Sequence, residues 1–260
     1  MVRYTNYISG CILIFWIMHV TKISILIYRF NTKQTMNKIK QMLQLQQKLN
    51  DATSGTGWEE GFTNKGKPID WRRCIYLETA ELVDSYPWKH WKNIDAEPDY
   101  ENVKIEVVDI WHFVMSEALR RNKIDHSGTM DDLALQMVNL PHYKDFADNT
   151  PLTLPGVFEQ IEQIEELIAV LFASDDFLKW VDSFFAMSAK LNIKLDELYR
   201  LYVGKNVLNQ FRQDHGYKEG KYIKQWNGME DNVVMQAIMQ EQENISPASL
   251  YEALEEKYPN

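Results

Sequence analysis

The sequence is poor in cysteine, with Cys11 and Cys74 as the two thiols among 260 residues. Two cysteines at unrelated positions provide neither a disulfide framework nor the paired spacing of a zinc site, and such usage is typical of a reducing cytosol. A chain of this length can bury one good core, or two small ones, without cross-links. We therefore expect one main cytoplasmic domain that folds without disulfides.

The chain also has fewer basic residues than acidic residues. The chain has 28 Lys and Arg residues against 37 Asp and Glu residues, a formal net charge of −9 at pH 7. Binding to a nucleic-acid backbone depends on Lys and Arg, so this balance argues against a broad nucleic-acid surface. Any smaller phosphate-bearing partner must be bound by cations that cluster locally.

Three common catalytic signatures are missing from the sequence: the Gly-rich Walker loop, the G-x-S-x-G motif and the H-E-x-x-H motif. Their absence gives no support to a P-loop nucleotidase, a serine hydrolase of that type or a zinc peptidase. The histidines do not form a metal-binding motif either, since five of them are scattered without metal-ligand spacing: His90, His112, His126, His142 and His215.

Alternating runs of β-branched residues, the pattern of strands, are rare from Asn37 onward. Apolar residues recur instead at helical spacing, and Gly, Pro and Asp mark the loops. We predict an all-α helical bundle, with a loop over residues 51–68 and helices over residues 71–86, 100–119, 157–171 and 177–191. Residues 122–156, which contain three prolines, are expected to form a less regular connector.

Four acidic residues interrupt two of these apolar helices: Glu78 and Glu81 in the first, Glu106 and Asp109 in the second. A spacing of three puts each pair on one helix face. Carboxylates held together away from water take up protons unless a cation stabilises their ionised form. One such pair is typical of an ordinary polar stripe, but two pairs predict a site for Mg²⁺ or Mn²⁺ between two core helices.

Residues 204–228 concentrate Lys and Arg within this acidic chain. Lys205, Asn209 and Arg212 share a helix face, where two cations and an amide can hold phosphate oxygens. A solvated helix end with its cap explains this segment when it is taken alone. Beside a carboxylate metal site the phosphate interpretation is favoured, and the combination predicts metal-assisted hydrolysis of a phosphoanhydride.

The first 35 residues form an apolar extension in two blocks, 11–18 and 23–28, separated by polar residues. This interruption makes a poor uniform span of about 20 residues, and no small-residue cleavage site is evident. Three interpretations stay open: an over-extended start upstream of a true start at Met36, a membrane anchor, and a packed N-terminal helix. We place the catalytic domain at residues 36–260.

Several motifs, in order, resemble those of the all-α dimeric dUTPases. They are LQQKLN at 45–50, ETAELVDSYPWK at 78–89, WKN at 91–93 and IEVVDIWHF at 105–113, continued by residues 216–220 and 227–232. The resemblance covers roughly residues 36–232, apart from the middle region. It implies an all-α homodimer that hydrolyses dUTP, and also dUDP, to dUMP with Mg²⁺, by attack at the β-phosphorus.

The resemblance also implies roles for single residues. Glu78, Glu81, Glu106 and Asp109 would hold metal ions, and Glu81 would orient or deprotonate the attacking water. The residues expected near the base and the deoxyribose are Gln46, Asn50, Trp91, His112 and Phe113. The residues expected near the phosphates are Lys205, Asn209, Arg212, Tyr217 and Lys224. Lys221 is left out, because relatives often have a small polar residue there.

Two other functions would use the same features differently. A sister enzyme acting on dCTP or a modified nucleotide would keep the metal site and change the base pocket. A non-catalytic helical interaction module would need no metal. Substrate profiling separates the first from a dUTPase, and a Mg²⁺ titration of protein stability separates the second.

Overall fold

The computed structural model describes residues 33–92, 96–242 and 245–259, and these residues are mostly helical, which confirms the all-α prediction. Residues 33–54 form helix α1, and a short 3₁₀ helix follows at Trp58–Glu60. The helices that come next are α2 (Trp71–Asp84), α3 (Tyr100–Ile124), α4 (Met130–Val138), α5 (Tyr143–Ala147), α6 (Val157–Ala173), α7 (Phe177–Lys190) and α8 (Leu195–Asp214). The chain then forms a hairpin of β1 (Gln225–Trp226) and β2 (Met229–Glu230), followed by α9 (Asp231–Glu241) and α10 (Pro247–Lys257).

Aspartate caps set the first residues of the two acidic helices. Asp70 caps α2 and Asp99 caps α3, each accepting a hydrogen bond from the backbone N–H three residues further on. Such caps satisfy donors that the first turn of a helix leaves unpaired. Helix α2 ends shortly before Pro87, whose ring cannot continue a helix. Helix α3 runs to Ile124 and is longer than predicted.

Helices α2 and α3 pack antiparallel at the centre of the protein. Near the end of α2, Ser85 Oγ accepts a hydrogen bond from Asn102 Nδ2 at 2.9 Å, while at the start of α2 the Trp71 ring stacks on Phe113 at 5.9 Å. Most residues of α3 around Trp111 are buried, and the Trp111 ring stacks on Phe184 of α7. Burial of each large apolar side chain stabilises the fold by about 1.5–3 kcal/mol, so α3 is the element around which the main core assembles.

The predicted loop over residues 51–68 begins later than expected, because residues 51–54 complete α1. Asp51 stays in the helix and accepts hydrogen bonds from Gln47 Nε2 and from the indole Nε1 of Trp58, both at 3.1 Å. The Trp58 side chain is fully buried. A residue with turn-forming propensity is thus held in the helix by one contact at helical spacing, with Gln47, and by a second with Trp58 beyond the end of the helix.

The expectation of an irregular connector over residues 122–156 is wrong for about half of that segment. Helices α4 and α5 lie there, and α4 starts from a capping box in which Thr129 and Asp132 bond each other's backbone N–H. The three prolines lie outside both helices, with Pro141 between them. Residues 148–156 are irregular as predicted.

A second, smaller group of buried apolar residues lies at the C-terminal end. It joins the last turns of α8 to the hairpin, α9 and α10, around Phe211, Trp226 and Leu254. The hairpin turn at Asn227 and Gly228 has positive φ at both residues, the conformation that a two-residue hairpin loop requires. We refer to this part of the fold, residues 208–259, as the C-terminal lobe.

Within the described ranges, none of the helices is both long enough and apolar enough to cross a membrane. The alternatives for the N-terminal extension concern residues 1–32, which lie outside the described part of the chain. Residues 33–35 belong to α1.

Candidate active site

Three carboxylates from α2 and α3 come together as the sequence pattern predicted for a metal site between two core helices. One oxygen each from Glu78, Glu81 and Glu106 lies within 4.8 Å of the other two. Glu106 is buried and accepts a hydrogen bond from Asn102 Nδ2 at 3.1 Å. Glu81 is exposed, so solvent reaches the cluster from its side.

The cluster raises the pKa of two of its members. Burial, and then the negative charges of Asp109 and Glu81, raise the pKa of Glu78 to about 7. Burial and the neighbouring carboxylates likewise raise the pKa of Glu106 to about 8. Ionising both groups at neutral pH is therefore unfavourable unless a positive charge compensates them.

A divalent cation would supply that charge, and the chemistry of the donor set suits it. The three groups are carboxylate oxygens, the hard ligands that Mg²⁺ and Mn²⁺ prefer, and the cluster holds no His or Cys that would favour a softer metal. The site is therefore able to hold a divalent metal.

Asp109, the fourth predicted metal ligand, lies beside the cluster and has a different partner. Its Oδ2 accepts a hydrogen bond from Lys205 Nζ at 2.8 Å, and Lys205 also donates to Asn232 Oδ1 at 2.9 Å. Lys205 is almost completely buried. Three elements thus meet at this amine, α3 through Asp109, α8 through Lys205 itself and α9 through Asn232.

A cleft of about 410 Å³ begins at these acidic residues and runs between α1, α3 and α8. Trp71 and Phe113, stacked on each other, form one aromatic wall. Ten of the predicted site residues line the cleft or its acidic end: Gln46, Asn50, Glu78, Asp109, His112, Phe113, Lys205, Asn209, Arg212 and Tyr217. The cleft therefore places amides, an aromatic wall, carboxylates and cations around one volume.

The amide end of the cleft is a closed hydrogen-bond network. Gln46 Oε1 accepts from His112 at 2.6 Å and from the Tyr202 hydroxyl at 3.0 Å, and Gln46 Nε2 donates to Asn50 Oδ1 and Ser116 Oγ. All the hydrogen-bonding capacity of the Gln46 amide is therefore used within the protein. Asn50 Nδ2 donates to Ser116 Oγ at 3.0 Å and keeps a second N–H available.

His112 is neutral and has one ring nitrogen without a partner in the described residues. Burial lowers the pKa of His112 to about 4. Since Gln46 Oε1 takes the hydrogen on Nδ1, Nε2 is left as an acceptor, and it is buried. A polar ligand in the cleft thus meets a donor at Asn50 and an acceptor at His112.

The cationic end of the cleft is fixed to the C-terminal lobe. Arg212 Nε and Nη2 donate to the two oxygens of Asp231 at 2.8 and 2.9 Å, and Arg212 Nη1 donates to Asn209 Oδ1. Asp231 is fully buried and also accepts from the Tyr222 hydroxyl at 2.8 Å. Although burial acts in the opposite direction, these partners hold the pKa of Asp231 below its usual value.

Two predicted site residues lie apart from the cleft. Trp91 is 62% exposed and packs edge-on against Trp88 and His90 after the end of α2. Lys224 is half exposed and lies 3.5 Å from Glu230 across the hairpin. Neither residue lines the cleft, so the structure does not support a contact of these two with a ligand bound there.

Four residues that shape the site were missed in the sequence: Trp71, Ser116, Tyr202 and Asp231. The sequence pattern predicts Trp71 only as the start of a helix and Asp231 only as part of the motif at 227–232, and it assigns no role to Ser116 or Tyr202. Ser116 carried a signal, because it lies one helical turn after His112 and so shares its face. Tyr202 similarly precedes Lys205 and Asn209 on α8 at helical spacing.

Clustered carboxylates between two antiparallel helices, beside a cleft lined by amides and cations, define this protein as an all-α hydrolase of phosphoanhydrides. The chain belongs to the dUTPase family, because the family model described as dUTPase matches residues 38–217, more than half of the chain. No curated protein matches the chain. The predictions of this family and of a dUTP-hydrolysing enzyme are thus confirmed.

Proposed function

We propose that this dUTPase converts dUTP and water to dUMP and pyrophosphate, and dUDP and water to dUMP and phosphate, with Mg²⁺ as the metal. The observation that carries this proposal is the carboxylate cluster of Glu78, Glu81 and Glu106 at one end of a polar cleft. The metal end suits a phosphate chain, and the amide network at the other end suits a nucleobase.

Glu78, Glu81 and Glu106 are the proposed metal ligands, with Asp109 joining them when Lys205 is drawn to the phosphates. Bound Mg²⁺ would supply compensation for the negative charge of the phosphate oxygens as the anhydride bond breaks. Glu81 is the exposed member of the cluster, and its carboxylate is the proposed acceptor of the proton from the attacking water. Glu78, which is half-buried, and Glu106, which is buried, are proposed to act as metal ligands alone.

The base and the sugar are assigned to the amide end. The free N–H of Asn50 and the unpaired Nε2 of His112 offer a donor and an acceptor to the polar edge of uracil. Gln46 is given a positioning role here, because its amide is already saturated by protein partners. Phe113, backed by Trp71, forms the proposed wall that leaves no room for a 2′-hydroxyl group.

The phosphates are assigned to Lys205, Asn209, Arg212 and Tyr217. Arg212 keeps its guanidinium in position through Asp231 and lies 5.9 Å from the Tyr217 ring centre. Held side chains of this kind bind a phosphate without the loss of rotamer freedom that an unrestrained arginine undergoes. Trp91 and Lys224 are not assigned a role at this cleft.

A homodimer, a cytoplasmic location and a catalytic domain over residues 36–260 complete the proposal. The dimer is supported by the resemblance to dimeric dUTPases, and the location by the scarcity of cysteine. The boundary at residue 36 is supported by the family match, which begins at residue 38.

A nucleotide panel tests the proposal. The purified full-length chain with Mg²⁺ is incubated with dUTP, dUDP, dCTP, dTTP and UTP, and the products are separated by ion-exchange chromatography. We expect dUMP from dUTP and dUDP and almost no turnover of the other three. Discrimination of about a hundredfold needs a difference of about 3 kcal/mol between the transition states. Equal rates on dUTP, dTTP and dCTP, or a preference for dCTP, would contradict the proposed substrate.

A further inference from the structure

A second cavity, lined by arginines, shares Trp71 with the substrate cleft. It measures about 410 Å³ and lies where the start of α2 packs on the later part of α3. Its charged lining residues are Asp70, Arg72, Arg73, Glu117, Arg120 and Arg121. Four positive and two negative charges leave a formal charge of +2 at this cavity, in a chain whose net charge is −9.

Two of the arginines compete for one buried carboxylate. Arg120 Nε and Nη2 donate to the two oxygens of Glu117 at 2.7 and 2.8 Å, and Arg121 Nε donates to one of the same oxygens at 2.8 Å. One carboxylate neutralises one guanidinium, so the second charge is partly buried without full compensation. Within the described part of the chain, the Nη atoms of Arg121 have no hydrogen-bond acceptor.

The remaining walls also present donors. The Arg72 guanidinium lies 5.0 Å from the Trp180 ring centre and pairs with the exposed Asp175, so its plane is held in position. Arg73 is mostly exposed and pairs with Asp70 at 3.1 Å. The indole Nε1 of Trp71 is buried and has no partner among the described residues. A buried donor without a partner costs about 1–3 kcal/mol, and Trp71 lines this cavity as well as the cleft.

The cations of the substrate cleft each have a carboxylate partner of their own. Lys205 is paired with Asp109, and Arg212 is paired with both oxygens of Asp231. In the arginine cavity Arg72, Arg73 and Arg120 are paired as well, whereas Arg121 shares Glu117 with Arg120 and has no carboxylate of its own among the described residues. Guanidinium groups are weakly hydrated and match the oxygens of a phosphate in pairs, which makes them suited to such an anion.

We propose that the arginine cavity is a second anion site, which binds a small phosphate anion of about the size of pyrophosphate independently of the substrate cleft. The inference stands on the arginines and Trp71 and does not depend on which nucleotide the cleft takes. With Asp175 counted beside Arg72, the four arginines face three carboxylates and keep one excess positive charge, so the ligand is an anion that can take the free N–H groups of Arg121.

Calorimetric titration of the full-length protein with sodium pyrophosphate tests this site. The buffer contains EDTA and little salt, so that no divalent metal contributes to binding in the cleft. Arg121→Gln is the main variant, because Glu117 keeps both hydrogen bonds from Arg120 and the fold is expected to persist. Arg73→Gln is a second variant at an exposed position, and Arg200→Gln on α8 is the matched control, since Arg200 does not line the cavity.

We expect the wild type and Arg200→Gln to bind pyrophosphate with equal affinity. Arg121→Gln should weaken binding by about tenfold or more, as loss of charge-assisted hydrogen bonds does, and Arg73→Gln by about threefold, as an exposed charge does. Lys205→Gln, in the cleft, should leave this binding unchanged. Three results would each overturn the proposal. They are wild-type affinity in Arg121→Gln, absence of binding by the wild type, and loss of binding in Lys205→Gln alone. If Arg121→Gln does not fold, wild-type affinity in Arg73→Gln overturns it instead.

Discussion

At the scale of single residues, Glu81 differs from its two neighbours in the carboxylate cluster because it is exposed while Glu106 is buried. Under the proposed function, this exposure lets Glu81 serve both a metal and the attacking water. Glu106 lies away from solvent and is proposed as a metal ligand alone. The proposed division of roles thus follows from which side of α2 and α3 each carboxylate occupies.

Glu81→Gln should keep the fold and lower the turnover of dUTP by about 10²-fold or more, because it removes a metal charge and the candidate base. Steady-state kinetics at saturating Mg²⁺ measures this. The metal-free variant should unfold at the same temperature as the wild type or slightly higher, since one repulsive charge is gone. Glu165→Gln, an exposed glutamate of α6, is the control and should be fully active. Wild-type turnover in Glu81→Gln would remove Glu81 from the mechanism.

Asn50→Ala should impair dUTP hydrolysis and leave metal binding intact. The substitution removes the free N–H proposed for uracil and leaves Ser116 and Gln46 each short of one partner. A lost hydrogen bond of this kind costs about 1–3 kcal/mol, so kcat/KM should fall by roughly ten- to a hundredfold. The stabilisation of the protein by Mg²⁺, followed by thermal unfolding, should stay as in the wild type. Asn149→Ala, at an exposed loop position, is the control; equal kcat/KM in both variants would contradict the role of Asn50.

At the scale of secondary-structure elements, the α2–α3 pair combines a hydrophobic interface with a cluster of like charges. The raised pKa values of Glu78 and Glu106 show that ionising both carboxylates inside this interface is unfavourable. Because the folded state keeps protons that the unfolded state releases above about pH 4.3, the free energy of unfolding contributed by these groups falls as the pH rises. The fall is complete once the pH exceeds the folded-state pKa values of about 7 and about 8.

The stability of the metal-free protein should therefore decrease between about pH 5 and pH 8 more steeply in the wild type than in Glu106→Gln, which lacks one of the titrating groups. Urea unfolding in EDTA at several pH values measures the two slopes. Added Mg²⁺ should stabilise the wild type more at pH 8 than at pH 5.5, since the ligands are then ionised. Parallel pH profiles for the two proteins would show that Glu106 is not the source of the effect.

Helices α8 and α9 are joined by a buried ion pair, and that pair can be tested separately. Asp231→Ala leaves the Arg212 guanidinium buried without its carboxylate, and breaking a buried pair in this way costs about 3–5 kcal/mol. We expect the C-terminal lobe to lose stability first. Hydrogen exchange followed by mass spectrometry should show faster exchange in α9 and α10 than in α2 and α3. Uniform exchange rates across both regions would contradict a separate lobe.

At the scale of the whole molecule, the main core and the C-terminal lobe meet at the cleft between α1, α3 and α8. The main core contributes the carboxylates and amides, and the lobe holds the cations through Asp231 and Asn232. The cleft therefore depends on the docking of two buried clusters and not on either cluster alone.

A chain that starts at Met36 should be folded and as active as the full-length chain, because every proposed site residue follows that position. The truncation shortens α1 by residues 33–35, at the start of the helix. Helix ends fray and contribute little stability, so at most a small decrease in the unfolding temperature is expected without loss of kcat/KM. Aggregation or inactivity of the truncated chain would show that the extension is a structural part of the enzyme.

The sequence predicts the helices and the acidic positions better than it predicts which side chains pair with each other. Helix type, the start of α2 and the four acidic positions follow from local periodicity and capping, which depend on neighbours within one or two turns. The partners of Asp51, Lys205 and Arg212 could not be predicted in this way. Lys205 and Arg212 are held by residues distant in the sequence, Asn232 and Asp231, and pairings of that range leave no local pattern. Asp51 has partners only four and seven residues away, but its bond to Trp58 depends on the turn that follows the helix.

The attachment of Lys205 and Arg212 to the start of α9 has an evolutionary consequence. Asp231 and Asn232 lie beyond residue 217, where the family match ends, whereas the proposed metal ligands lie well inside it. If Lys205 and Arg212 bind the phosphates as proposed, substitutions in the C-terminal segment alter how tightly the phosphate chain is held and leave the carboxylate cluster unchanged. On that proposal, a lineage tunes its preference between nucleoside di- and triphosphates by changing the lobe alone.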